Sequence, residues 1–240
     1  KYGESSWSAL EGSVFLKVHK YMARKIIFDP LDSSIFYILV SNHKEHGIVY
    51  SRNRGQTLEM LYTLPKEERV VDVVPVQDRG GMLFAATEKG LLILSADYGA
   101  SWTHVASFTS AIASLEVSET NPSFIFVVTA DGLLYVSENG GNKFKQVLLP
   151  ERGIVKKVAL GKGNRQFFVV TAKEVYETKD GGAHFKKILI PVTVEDIVLA
   201  DFKMSRANEN ILYAAIGTLL LKSKDGGVSW AVKNIDAKLI

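Results

Sequence analysis

Ser95-Ala-Asp97-Tyr-Gly99-Ala-Ser-Trp102 is the stretch from which the fold can be read. A serine closes an apolar run. Two residues on, a carboxylate can accept hydrogen bonds from nearby backbone amides, as in an Asx-turn. The glycine can take a positive φ that strains other residues. The tryptophan then opens a new run and can fold back over the turn, sealing it from water. Such an octapeptide reads as a tight connection between two antiparallel strands.

The same octapeptide recurs on both sides. Upstream is Ser51-Arg-Asn53-Arg-Gly55-Gln-Thr-Leu58. Downstream are Ser137-Glu-Asn139-Gly-Gly141-Asn-Lys-Phe144, Thr178-Lys-Asp180-Gly-Gly182-Ala-His-Phe185 and Ser223-Lys-Asp225-Gly-Gly227-Val-Ser-Trp230. Their first residues stand at 51, 95, 137, 178 and 223, hence 44, 42, 41 and 45 positions apart. A degenerate copy opens the chain at Tyr2-Gly3-Glu4-Ser-Ser-Trp7.

Around each turn the apolar runs follow a constant order. In the third repeat they are Ile112–Val117, Phe124–Thr129, Leu133–Val136 and Phe144–Leu149; the second gives Val70–Val76, Met82–Thr87, Leu91–Leu94 and Trp102–Phe108. The runs are short, rich in Val, Ile and Phe, and bounded by Gly, Asn, Asp and Pro, which is the signature of strands. No window keeps a 3.6-residue period, so almost no helix is expected. Four strands in each repeat of about 40–45 residues predict an all-β chain folded as a β-propeller. The expected organisation is a single domain over 1–240, with repeats at about 24–66, 67–109, 110–151, 152–193 and 194–236. Residues 1–23 then form a partial sixth blade, a closing strand, or the tail of a longer propeller.

Bulk composition is compatible with a large packed domain. The chain has 240 residues, 47% of them hydrophobic and 23% charged, which is ordinary for a globular protein. It has no cysteine, which excludes disulfides, thiolate metal sites and Cys nucleophiles. The net charge of +3 is dispersed, against the concentrated basic patch of a nucleic-acid binder. No apolar run approaches the ~20 residues of a membrane-spanning helix. An opening at Lys1 is compatible with a removed leader.

The five turns resemble the Asp-box, or bacterial neuraminidase repeat, of general form Ser-x-Asp-x-Gly-x-Thr-Trp. The second and fifth copies match closely. Phe144 and Phe185 replace the tryptophan, Asn139 replaces the aspartate, and Leu58 stands at the aromatic position of the first copy. The superfamily includes sialidases and other glycosidases, sortilin-type receptors, and exported assembly factors such as the photosystem II stability/assembly family, so the resemblance implies a fold, leaves the activity open and, through its exported branch, implies an extracytoplasmic setting. It also implies that Ser95, Asp97, Gly99 and Trp102, Ser137, Asn139, Gly141 and Phe144, Thr178, Asp180, Gly182 and Phe185, and Ser223, Asp225, Gly227 and Trp230 build turns and take no part in catalysis. Trp102→Ala or Trp230→Ala is then expected to cost about 3–5 kcal/mol if the ring is fully buried.

A sialidase of this kind needs three arginines around a carboxylate and a Tyr–Glu nucleophile pair. Its characteristic Tyr/Phe-Arg-Ile-Pro sequence is missing; the nearest look-alike is Ala23-Arg24-Lys25-Ile26. Arg52 and Arg54 fall inside a repeat turn. No residue is therefore assigned a catalytic role. His43 and His46 lack a clear third ligand, and neither metal nor cofactor is expected. If each turn joins strands C and D, the D–A and B–C loops meet at the opposite end of the sheets. Those loops carry Lys66, Glu67, Glu68 and Arg69, Glu151 and Arg152, and Glu195 and Asp196, which are the candidate binding residues. Short, charged loops on a rigid frame suit the docking of a protein partner. The expected function is thus a non-enzymatic interaction or assembly scaffold. The alternatives are a glycan-binding protein or glycoside hydrolase acting through Glu67, Glu68 or Glu151, and a fragment of a larger propeller.

Overall fold

The computed structural model describes residues 16–17, 19–65, 68–151, 153–161, 165–191, 199–205 and 207–235. Among them, twenty strands form five antiparallel four-stranded sheets, each a meander in chain order. The first contains β1 (Met22–Phe28), β2 (Phe36–Ser41), β3 (Glu45–Ser51) and β4 (Glu59–Pro65). The second contains β5 (Val70–Pro75), β6 (Leu83–Thr87), β7 (Leu91–Ser95) and β8 (Thr103–Ser107). The third is β9 (Ile112–Val117), β10 (Ile125–Thr129), β11 (Leu134–Ser137) and β12 (Lys145–Val147). The fourth is β13 (Val155–Leu160), β14 (Phe167–Thr171), β15 (Val175–Thr178) and β16 (Lys186–Ile188). The fifth is β17 (Leu199–Met204), β18 (Leu212–Ile216), β19 (Leu219–Ser223) and β20 (Ala231–Asn234). Each sheet thus has strands A to D in order. The degenerate turn at Tyr2–Trp7 lies outside the described residues, which contain no sixth sheet.

The backbone groups into two compact units, Lys1–Thr109 and Ser110–Ile240. In the first unit, Tyr37, Leu39 and Ile48 of the first sheet pack on Val73, Leu83 and Ala85 of the second. In the second unit, Phe126, Val128 and Leu134 pack on Val158, Phe167 and Val169, and Phe168, Val170 and Val175 on Phe202, Leu212 and Ala214. The B strands of the first four sheets are continuously buried because both faces meet neighbours, so their sequences lack polar alternation, whereas β18 alternates between buried and half-exposed positions.

The repeat turns hold a common hydrogen-bond network. The Ser95 hydroxyl donates to Asp97 Oδ1 (2.8 Å) and accepts from the amides of Asp97 (3.3 Å) and Gly99 (2.7 Å). Asp97 in turn accepts from the Ser101 amide (2.9 Å) and hydroxyl (2.6 Å). The carboxylate therefore bridges to the residue four positions on. The amides two and four residues after the serine go to the hydroxyl, which corrects the simple Asx-turn reading. The other four turns repeat this pattern, including the degraded first copy around Ser51 and Asn53. Two successive residues take the left-handed conformation: Gly140 and Gly141, Gly181 and Gly182, and Gly226 and Gly227, with Arg54 and Tyr98 standing in at the first position of the earlier copies.

The aromatic that follows is half-buried and reaches beyond its own turn. Trp102 lies 5.5 Å from the Tyr62 ring of the preceding sheet, and Trp230 Nε1 donates to the Leu189 carbonyl at 3.0 Å. Half-burial lowers the expected cost of Trp230→Ala to about 2–3 kcal/mol. Trp102 Nε1 is buried without a partner, which sets up a contrast. Trp102→Phe discards an unsatisfied donor and should be nearly neutral, whereas Trp230→Phe should cost about 1–2 kcal/mol in urea melts. Equal costs would contradict the geometry.

The same network sets an acid response. Ser101 and Ser95 hold the Asp97 carboxyl down at about 2, and Ser229 and Ser223 do the same for Asp225, also about 2. A carboxyl depressed on folding stabilises the folded state above its unfolded pKa near 4, and the contribution vanishes as pH falls through about 2. In the first turn Asn53 makes the equivalent contacts, with its Nδ2 donating to Thr57 Oγ1 at 3.0 Å. The Asp97→Asn, Asp225→Asn double variant should therefore stay folded at neutral pH and lose less stability than the parent between pH 4 and pH 2.

Candidate functional site

Loop connections alternate between the two ends of every sheet. The amide in the fourth position of each turn binds the A–B loop of its own sheet, as in Tyr98 to Gly81 (2.8 Å) and Gly181 to Arg165 (3.0 Å). At the other end, B–C loops bind D–A segments, as in Glu88 to Arg69 (2.9 Å) and Ala130 to Ala111 (2.7 Å). The described D–A and B–C residues in these bonds, Arg69, Glu88, Ala111 and Ala130, thus lie at the end of their sheets opposite the repeat turns.

The structure places part of the candidate set. Glu68 is buried, accepts from the Lys89 amide (3.3 Å) and stands 3.5 Å from its ammonium. Arg69 pairs with Glu88 at 2.9 Å. These four groups fasten the D–A segment to the B–C loop of the second sheet. Glu151, largely exposed, stands 3.6 Å from Lys187, which also pairs with Glu174; Glu174 accepts from the Tyr176 hydroxyl. The first group belongs to one compact unit and Glu151 to the other. Lys66, Glu67, Arg152, Glu195 and Asp196 lie outside the described residues.

Neither His43 nor His46 gathers further ligands: among the described residues no group of three or more His, Asp or Glu is placed to hold a metal. Arg52 lies 5.1 Å from both the Tyr50 and Tyr98 ring centres, a cation–π contact that fixes it as packing at the turn end.

A cavity of about 560 Å³ lies in the second unit, where the A strands β9, β13 and β17 run out into their A–B loops. It therefore opens at the end that carries the repeat turns, away from the loops singled out from sequence. Val117, Val158, Leu160 and Met204 supply apolar lining, while Glu116, Glu119, Thr120 and Lys203 supply polar groups of both signs. The A strands also share an irregularity near their first residues, at the end away from the cavity. All five A–B pairings carry a register shift, at Ala23/Lys25, Val70/Asp72, Val128/Thr129, Val155/Lys157 and Leu199/Asp201. Such a bulge bends and twists the strand. It turns Lys25 onto Asp72 (2.6 Å) in the first unit and Lys157 onto Asp201 in the second. Glu116 and Lys203 lie close enough to act on Lys157. Nothing in the sequence pattern marks Glu116, Glu119 or Lys203 out, because Glu116 and Lys203 sit in ordinary strand ends and Glu119 in the loop that follows β9.

No family model matches the chain, and no curated protein matches it. Solved structures do. The GH74 xyloglucanase from Xanthomonas campestris superposes with a TM-score of 0.69 at 19% identity, covering 88% of this chain and 38% of that one. YCF48 from Cyanidioschyzon merolae gives 0.73 at 12% identity, covering 96% and 76%. YCF48 bound to D1 peptide gives 0.68 at 16% identity, covering 92% and 69%. This chain thus spans well under half of the xyloglucanase. At such identities the likeness is one of fold, and the chain is a β-propeller of four-stranded antiparallel blades.

Proposed function

We propose that this propeller is a non-enzymatic scaffold of the Asp-box type that binds an extended segment of a protein partner, in an extracytoplasmic setting. The observation that carries the reading is the cavity at the ends of β9, β13 and β17. Its apolar lining and its polar groups of both charge signs suit a peptide, which brings alternating apolar side chains and a polar backbone. A propeller of similar fold, YCF48, has been solved with a peptide bound, which supports the same use of the scaffold. The test is a photo-crosslinker at Glu119, an exposed cavity residue, in the native host. A defined protein should be captured, and Met204→Arg should abolish the capture by filling the apolar lining. Capture that is indifferent to Met204→Arg overturns the assignment.

A second reading follows from Glu116 and Glu119 sharing one cavity, since glycoside hydrolysis uses two carboxyl groups. It predicts turnover in a panel of xyloglucan fragments and simple glycosides that Glu116→Gln eliminates.

A further inference from the structure

The second residue of strand B is aromatic in all five sheets: Tyr37, Phe84, Phe126, Phe168 and Tyr213. The first four are buried, and Tyr213 is half-exposed. Tyr37, Phe126 and Phe168 are covered by the following sheet. Around Tyr213 the change runs across the whole face. Ala215 and Leu220 are half-exposed, whereas their register equivalents Val128 and Leu134 or Val170 and Val175 are buried.

Chemistry at the outer positions changes with exposure. Where the third sheet has Val136 and Val147, the fifth has Lys222 and Lys233. Where the fourth has Ala159, the fifth has Lys203. The Lys222 ammonium sits 5.2 Å from the Tyr213 ring centre. Beside Lys203 and Tyr213 is a shallow depression of about 340 Å³ floored by Ala215 and Leu220, whose strand partners are Asp201 and Lys233. The acidic residue on this face, Asp201, is ion-paired with Lys157 of β13. Covering three ammonium groups with another apolar sheet would strand them without counter-charges.

We infer that this face of the fifth sheet is a docking surface for an acidic, amphipathic protein segment. Carboxylates of the partner would pair with Lys203, Lys222 and Lys233, and its apolar side chains would enter the depression over Leu220. From β17 to β20 the lysines span three strand spacings, about 14 Å, which a short extended segment covers. A nucleic-acid backbone fits worse: it would bring phosphates onto Asp201, and three ammonium groups make a small footprint for a polyanion. The surface shares Lys203 with the rim of the cavity at the A-strand ends, but Ala215, Leu220, Lys222 and Lys233 do not line that cavity, and the inference does not rest on the cavity binding a peptide.

The test uses fluorescence anisotropy with a labelled short peptide of alternating glutamate and leucine on the whole chain. Binding should weaken as salt rises, and by about tenfold in the Lys222→Glu, Lys233→Glu double variant, while Lys44→Glu on an exposed loop leaves it unchanged. If charge reversal lowers the melting temperature, Lys222→Gln, Lys233→Gln should weaken binding in the same direction with the fold intact. Equal binding by parent and double variants overturns the inference. So does tighter binding of duplex DNA or of phosphatidylglycerol vesicles, or no peptide binding at about 1 mM.

Discussion

Phe168→Ala is expected to lower the stability of the second unit by about 3–5 kcal/mol. The ring is 1% exposed and lies 5.2 Å from the ring of Phe202, which is itself fully buried, across the boundary between the fourth and fifth sheets. Val170, Val175 and Ile188 on one side and Leu212 and Ala214 on the other complete the cluster. These neighbours are anchored in paired strands and cannot collapse into the void, so the loss combines transfer and cavity terms. Urea unfolding followed by tryptophan fluorescence measures it, since Trp230 packs against the same cluster. Phe168→Leu, which keeps most of the volume, should recover more than half of the loss. A cost below about 1.5 kcal/mol for the alanine variant would mean that the two sheets do not pack as described.

Gly47→Val should be comparably damaging for a different reason. Gly47 lies within β3, beside the register shift at Ile48/Val49. A Cβ placed there would lie 2.4 Å from the Tyr62 carbonyl oxygen and 2.9 Å from Met60 Sδ. The thioether can move, but the carbonyl belongs to β4 and cannot shift without breaking the pairing. Overpacking usually costs about 1–3 kcal/mol, and contact with a fixed backbone atom puts this variant at or above that range. Gly140→Ala is the control: its Cβ would meet nothing within 4 Å, so only the left-handed φ of 69° opposes it, at about 1 kcal/mol. Similar midpoints for the two variants would remove the steric account of Gly47.

The strands were legible because their signals are local. Ile112–Val117 is delimited in the sequence as it is in β9, and Val70–Val76 runs one residue beyond β5, since turn-forming and polar residues bound each apolar run. The repeat turns were legible because one hydroxyl and one carboxylate or amide recur at fixed offsets. The details that failed depend on neighbours distant in sequence. Trp102 and Trp230 look like plugs over their own turns, but Trp102 also meets Tyr62 and Trp230 the Leu189 carbonyl, each about 40 residues earlier in the chain. The A-strand bulges have no glycine or proline to mark them. The cavity is less legible still, since Glu116, Thr120 and Lys203 converge only once three bulged strands lie side by side. Glu68 and Arg69 read from the sequence as charged loop residues open to a partner, and only the fold brings Lys89 and Glu88 against them.

Among the described residues every strand pairs only with strands adjacent to it in the chain, so none of these five sheets waits on a distant described segment. This gives each sheet a low contact order, unusual for an all-β protein, because loop-closure entropy is met over a dozen residues at a time. Each meander can therefore close during synthesis soon after its roughly forty residues emerge, before the next sheet exists to compete for its edges. The apolar faces that await a following sheet, such as that of Phe126 and Val128, are then the aggregation-prone surfaces of the nascent chain, and the rate at which the next repeat arrives sets how long they stay open.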